Sequence, residues 1–321
     1  MNTMEKITTV PSLKQILTAH KTIKPYIHQT PVISNASINK LTGASIFFKC
    51  ENFQKIGAFK MRGATCATMA LTDKEKTNGI ATHSSGNHAQ AVALSAKNHN
   101  INAYIVMPSS APVIKRKATE GYGANIITCN PTIAARQSTL DQVVAKTNAT
   151  FIHPFDNYNV IAGQATAAIE LIEEVGRMDI VMAPIGGGGL MSGTALGTHY
   201  LLPDTQIIGT EPERVDDAYL SFQKGEIVKN KSINSIADGL LTNLSPKTFN
   251  IIKEHLNEII TVSEQQIIQA MRLIWERMKI IVEPSSAVPL AAILKQKERF
   301  LGQKIGLILT GGNVDINNLP F

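Results

Sequence analysis

The chain has 321 residues, 44% of them hydrophobic, which is enough for a substantial core and long for one compact unit. No window approaches the roughly 18 continuous apolar residues of a membrane span, and the N-terminus MNTMEKITTVPSLKQIL lacks both an apolar h-region and a small-residue cleavage site, so neither a membrane nor a signal peptide is expected. The net charge of +6 is spread thinly: the densest cluster, Lys115-Arg116-Lys117, is followed by Gly121, Tyr122 and Gly123 rather than interleaved aromatics, which reads as a solvated helix face and not a nucleic-acid surface.

In chain order, SIFFKCE (45–51) predicts a strand. GIATHS (79–84) predicts a strand followed by a helix over NHAQAVALSAKNH (87–99). AYIVMP (103–108) is a strand before a helix from about Pro112 to Tyr122. ANIITC (124–129) is a strand before a helix from about Thr132 to Lys146. VIAGQATAAIELIEEV (160–175) has helical apolar spacing. DIVMAPI (179–185) and QIIGTEP (206–212) are buried-strand runs, a long helix fits 263–279, and KIGLILT (304–310) is the last strand. This alternation implies βαβ units and buried, mostly parallel sheets. The stretch from about 80 to 155 is self-contained, so a small domain inserted into a larger one is expected. Cys50, Cys66 and Cys129 are odd in number and unpaired in spacing, which suits a reducing, cytoplasmic setting and neither zinc nor a disulfide framework.

Ligands in such folds sit in the loops after strands. Gly186 to Gly189 follow DIVMAPI and open an apolar helix. Four glycines leave backbone N–H groups free to approach an anion at a helix N-terminus, which suits a phosphate; a flexible turn is the alternative. The run completes neither GxGxxG nor a Walker loop, so a dinucleotide or nucleoside triphosphate is not the natural ligand. Ser84-Ser85-Gly86-Asn87-His88 open another helix. They suit a carboxylate or phenolate oxygen, or simply an N-cap. A Ser-His hydrolase lacks its G-x-S-x-G elbow. Thr310-Gly311-Gly312-Asn313 end the last strand and let something flat come close, or merely turn the chain. Lys60 stands in GAFKMRGA among small and apolar residues. Alone it reads as a solvated lysine; beside an anion cradle and an oxyanion-type helix start it reads as a desolvated nucleophile. That combination suits pyridoxal phosphate, which needs a lysine, an anion cradle and ring partners.

The chain resembles the fold-type II pyridoxal-phosphate enzymes, in the branch of serine/threonine dehydratases and serine racemase. The matching stretches are KCENFQKIGAFKMRGA (49–64), THSSGNHAQA (82–91), HPFDNYNVIAGQAT (153–166), PIGGGGLMSG (184–193), IIGTEPERVDDAY (207–219), IADGL (236–240), WERMKIIVEPSSAV (275–288) and LTGGNVD (309–315). They run in family order over nearly the whole chain. The resemblance implies an α/β, tryptophan-synthase-β-like fold with two open twisted sheets. A large cofactor-binding domain would comprise 1–55 and 157–321, and a small mobile domain 56–156. It implies that Lys60 holds the cofactor covalently and removes the α-proton, with Phe59 packed on the ring. Asn87 would bond the ring oxygen, Gly186, Gly187, Gly188 and Gly189 the phosphate, and Thr310 the ring nitrogen, where serine is usual. Ser84, Ser85, Asn87 and His88 would surround the substrate, with Ser85 as the opposite-face acid/base of the racemases. Arg136, with Thr242 opposite, matches a substrate-contacting position that favours an acidic side chain such as that of 3-hydroxyaspartate.

Glu211, the Val215 carbonyl and Asp217 match the racemase-branch site for Mg²⁺, or Ca²⁺ or Mn²⁺; a pair of acidic surface residues is the alternative. A neutral hydroxyl at the ring nitrogen makes a weaker electron sink than a carboxylate would, which favours loss of a β-leaving group. The implied activity is therefore an α,β-elimination that turns L-serine or L-threonine into pyruvate or 2-oxobutanoate and ammonia. Serine racemase and threo-3-hydroxyaspartate dehydratase are the alternatives. A β-replacement synthase fits the metal-site match less well. A homodimer is expected. Ala58 and Ile56 depart from the family's serine and threonine, which puts nucleotide activation in doubt. With the sequence ending at Phe321, no C-terminal regulatory domain is expected.

Overall fold

The computed structural model describes residues 4–111 and 113–321; residues 1–3, and Pro112 where the sequence places a helix start, lie outside them. In chain order the elements are α1 (Leu13–Ile23), β1 (Val32–Ile33), α2 (Ala36–Thr42), β2 (Ser45–Cys50), α3 (Lys60–Met69), α4 (Asp73–Asn78), β3 (Ile80–His83), α5 (Asn87–Asn98), β4 (Ala103–Pro108), α6 (Val113–Gly121), β5 (Asn125–Cys129), α7 (Ile133–Thr147), β6 (Thr150–Phe151), α8 (Tyr158–Val175), β7 (Ile180–Pro184), α9 (Gly189–Leu201), β8 (Gln206–Pro212), α10 (Asp217–Lys224), α11 (Pro246–His255), β9 (Glu258–Val262), α12 (Glu264–Met278), α13 (Pro284–Lys295), α14 (Lys297–Phe300) and β10 (Lys304–Leu309).

Two sheets result. The larger runs β1-β2-β10-β7-β8-β9 and the smaller β5-β4-β3-β6. Every described pairing is parallel except β1 on β2. All strands of the smaller sheet fall between Ile80 and Phe151, and those of the larger lie on both sides of that interval. The central strands β7 and β10 are buried along almost their whole length, as helices on both faces require. Their apolar runs therefore read clearly in the sequence.

Other elements were harder to read. β1 and β6 have two residues each. The strand β9 (EIITV) runs directly toward the cap of α12 and adds a sixth strand to the larger sheet. Helix α3 (KMRGATCATM) is buried from Met61 to Thr68, so it shows no polar stripe and no helical periodicity. The sequence makes Arg62 look like a misplaced surface charge, yet it is fully buried. Its guanidinium bonds Glu51 at 2.7 and 2.8 Å, Glu170 at 2.8 and 2.7 Å and Thr166 at 3.0 Å. Lys49 reaches the same Glu170 at 2.6 Å. Two cations and two anions thus cancel in the core and pin the helix that begins at Lys60. Burial of such ions is tolerable only with this degree of pairing.

Candidate active site

The segment before α3 is bent tightly. Ile56 adopts φ 62° and Gly57 φ 72°, both left-handed. Ala58 then forms an isolated bridge with Gly311, and the Phe59 N–H donates to the Thr310 carbonyl at 2.9 Å. The loop after β10 is therefore stitched to the start of α3, and Thr310 lies beside Lys60. Lys60 is half-buried as the first residue of α3. Its Nζ donates to the Pro154 carbonyl at 3.2 Å and stands 5.0 Å from the Phe59 ring centroid. Desolvation pulls its ammonium down to about 8, against an opposing pull from Glu283. An amine with that value is a competent nucleophile near neutrality.

Gly186 to Gly189 follow β7 and open α9, wholly buried. Gly188 takes φ +85°. A Cβ on Gly187 would strike the Phe155 ring, and one on Gly186 would stand 2.9 Å from the Leu240 Cα. Only glycine allows this approach. Among the described residues, the backbone N–H groups of Gly186 to Met191 donate to no protein acceptor; the first helical bond runs from Ser192 to Gly188 at 2.8 Å. Six buried donors without partners need an external acceptor. The donor set fits the phosphate of pyridoxal phosphate, and the amine of Lys60 fits its aldehyde.

The second helix start is α5. Ser84 and Ser85 are half-buried, the Gly86 N–H donates to Ser84 Oγ at 3.3 Å, and the N–H groups of Ser85, Asn87 and His88 find no protein acceptor among the described residues. His88 is buried, with Nε2 3.0 Å from the Ile152 carbonyl and Nδ1 unpartnered. Burial, then the charge of Lys60, hold its imidazole down at about 3, so it stays neutral. Asn87 donates from Nδ2 to both oxygens of Glu283, at 3.2 and 3.1 Å, and accepts at Oδ1 from Asn313 at 2.8 Å. Glu283 is buried; desolvation and then Asp238 push its carboxyl up to about 7.

Thr310 Oγ1 lies 2.9 Å from Ser286 Oγ. Arg136, near the start of α7, is half-buried with Nε unpartnered, and its charge, after burial, depresses the neighbouring His83 at the end of β3. The charge of Arg136 is thus felt at His83, one residue before the Ser84–His88 segment. Thr242 is exposed on the loop after Leu240, and no hydrogen bond joins it to the other candidate residues among those described. Glu211 at the end of β8 accepts from the N–H groups of Ala218 at 3.1 Å and Tyr219 at 2.9 Å. Asp217 accepts from Asn230 at 2.6 Å and the Leu244 N–H at 2.9 Å. Both carboxylates are buried with Val215 between them in the chain. Burial and then Asp217 push Glu211 well up, and burial pushes Asp217 to about 6. Asp216 adds its charge to both, yet no group of three or more His, Cys, Asp or Glu placed to hold a metal is found among the described residues.

The structure thus gathers Lys60, Phe59, Asn87, Thr310 and the glycine loop around one space. It also brings in residues to which the sequence assigned no role. Pro154 and Phe155 line it from the loop before α8, and Glu283 and Asn313 from α13 and the β10 loop. Both of the latter lie in stretches that carried the resemblance, EPSSA and TGGN, but only their contacts reveal that they face Asn87.

The family model for pyridoxal-phosphate dependent enzymes matches residues 23–311. The beta-hydroxyaspartate dehydratase of Paracoccus denitrificans is 48% identical over 97% of this chain and 99% of its own. The L-threo-3-hydroxyaspartate ammonia-lyase of Saccharomyces cerevisiae is 46% identical over 96% of this chain and 92% of its own. The crystal structure of serine racemase from Dictyostelium discoideum superposes with a TM-score of 0.92 at 49% identity, covering 96% of this chain and all of the other.

Proposed function

The chain belongs to the pyridoxal-phosphate dependent enzyme family, and we propose that it dehydrates a β-hydroxy amino acid with an acidic side chain, releasing the 2-oxo acid and ammonia. The observation that carries the choice of side chain is Arg136: a half-buried residue with a buried, unpartnered Nε, whose charge reaches His83 just before the α5 start. A buried guanidinium N–H without an acceptor suits an anionic one. The two hydroxyaspartate-processing relatives favour the same substrate class over the serine and threonine that the resemblance put first.

Pyridoxal phosphate, when held by Lys60, supplies an electron sink for the bonds at Cα. The protein supplies the rest. The N–H groups at the start of α5 and Ser84 hold the α-carboxylate. Arg136 holds the β-carboxylate. Lys60, neutral in part near pH 8, takes the α-proton. The β-hydroxyl then leaves as water, taking up one proton for the one Lys60 removed, and water later hydrolyses the released enamine, so that 3-hydroxyaspartate yields oxaloacetate and ammonia. Thr310, neutral and bonded to Ser286, would meet the ring nitrogen without the charge of a carboxylate. Glu211, Asp217 and the Val215 carbonyl would hold a hard divalent cation, which would neutralise two buried carboxylates. Ser85 supports a second reading: a proton returned from its hydroxyl to the opposite face would give a D-amino acid, as in a racemase.

The test is steady-state kinetics on L-threo-3-hydroxyaspartate, L-serine and L-threonine, with wild-type protein and Arg136→Ala. We expect wild type to prefer the diacid. Arg136→Ala should lose roughly 100-fold in kcat/KM on it, the worth of a charge-assisted bond at a desolvated site, while serine turnover changes little. Equal losses on all three substrates would remove Arg136 from substrate recognition.

A further inference from the structure

Asn313 makes two donated bonds from one nitrogen. Its Nδ2 reaches the Ile56 carbonyl at 2.7 Å and Asn87 Oδ1 at 2.8 Å. Both receiving atoms can only accept, so the orientation of the Asn313 amide is forced. Asn87 is forced in turn. Its oxygen faces Asn313, and its Nδ2 faces the two oxygens of Glu283. A direction of donation therefore runs through three elements, with Asn313 donating to Asn87 and Asn87 to Glu283, and none of the amides can flip alone. The other end of the clamp is strained. Ile56 is β-branched yet left-handed at φ 62°, a conformation that is strained and needs outside support. Gly57 follows at φ 72° and lacks the Cβ that would stand 2.7 Å from Asn313 Oδ1. Three residues later comes Lys60.

We propose that Asn313 is a positioning residue of the cofactor site: it holds the strained turn that aims Lys60 and, together with Glu283, fixes the Asn87 amide, its oxygen on Asn313 and its N–H₂ on Glu283. The proposal rests on the cofactor of the family and not on the choice of substrate. Its test needs no turnover, so it can fail while the substrate reading stands, and the reverse.

Cofactor-free protein is titrated with pyridoxal phosphate. The dissociation constant, the visible circular dichroism of the bound cofactor and the fraction of Lys60 trapped by borohydride are read for wild type, Asn313→Asp and Asn313→Ala. Aspartate keeps the shape but sets an acceptor against two acceptors; alanine merely deletes the bonds. We expect Asn313→Asp to bind the cofactor at least tenfold more weakly and Asn313→Ala roughly tenfold, at about one buried hydrogen bond per decade, with a reduced dichroic band in both. A space-filling role gives the opposite order, with aspartate near wild type and alanine worse, and would overturn the proposal. Should Asn313→Asp not fold, Glu283 decides. Glu283→Gln retains an acceptor for Asn87 and keeps the dichroic band, whereas Glu283→Leu loses it. Equal bands in those two variants would also overturn the proposal.

Discussion

Lys60 owes its chemistry to its surroundings. Its ordinary value is 10.5, and burial brings it to about 8. Between those values the unfolded chain binds more protons than the folded one, so this residue makes stability rise with pH across that window and imposes its full cost below about 8. The same shift governs reactivity. The rate at which cofactor-free protein captures pyridoxal phosphate should rise with pH through an inflection near 8, because only the neutral amine attacks. Glu283 opposes the shift, so Glu283→Gln should move the inflection lower. A stopped-flow series against pH reads both effects; an inflection near 10.5 would show an ordinary, solvated lysine. The stretch around Lys60 alone reads as a solvated lysine, and only the other loops reverse that, because a lysine between Phe59 and Met61 has the same letters whether its amine meets water or the Pro154 carbonyl. The loop that supplies that carbonyl lies 94 residues away.

At the scale of elements, α3 is the carrier of Lys60, and Arg62 is what holds it. Removing one partner from a buried ionic cluster leaves uncompensated charge. Arg62→Ala should therefore destabilise by roughly 3–5 kcal/mol, read as a lower midpoint in urea unfolding of the cofactor-free protein. A cost below 1 kcal/mol would show that Glu51 and Glu170 find other partners. The neighbouring helix α8 meets α3 where a Cβ on Gly163 would stand 2.6 Å from the Arg62 carbonyl, and meets α9 where one on Gly193 would stand 2.6 Å from the Ala165 nitrogen. Gly163→Ala must therefore push backbone against backbone, and about 1–3 kcal/mol is expected from the same melt. Elements with a one-sided apolar stripe or a short continuous apolar run were legible in the sequence: α12 and the strands β4, β7, β8 and β10 fall within a residue or two of their expected bounds. Helices α3 and α13, buried on nearly every face, carry no polar stripe by which a helical period could be recognised.

Across the whole molecule, two sheets feed the same space from opposite sides. The smaller sends the start of α5 after β3. The larger sends the glycine loop after β7 and the Thr310 loop after β10. Single motifs were weak signs because each lies at one strand end; their convergence is a property of topology, and parallel strands place all these loops at carboxyl ends. Glu283 and Asn313 escaped because their role depends on contacts with Asn87 across 196 and 226 residues. The buried Glu211 and Asp217 make a further demand on the whole molecule. If a divalent cation binds there, EDTA should lower the melting temperature and added Mg²⁺ restore it, since a ligand of the native state alone stabilises by mass action. Unchanged melting in EDTA would leave the two acids as a buried, partly protonated pair.

The most direct test is product analysis of purified, pyridoxal-phosphate-loaded protein in Mg²⁺ with L-threo-3-hydroxyaspartate and L-serine in separate samples, reading oxaloacetate, pyruvate and D-serine by NMR. Oxaloacetate forming well ahead of pyruvate, with D-serine as a minor product, is the predicted result. Pyruvate or D-serine in clear excess, or no oxo acid from the diacid, would contradict the account of an acidic β-hydroxy substrate seated on Arg136.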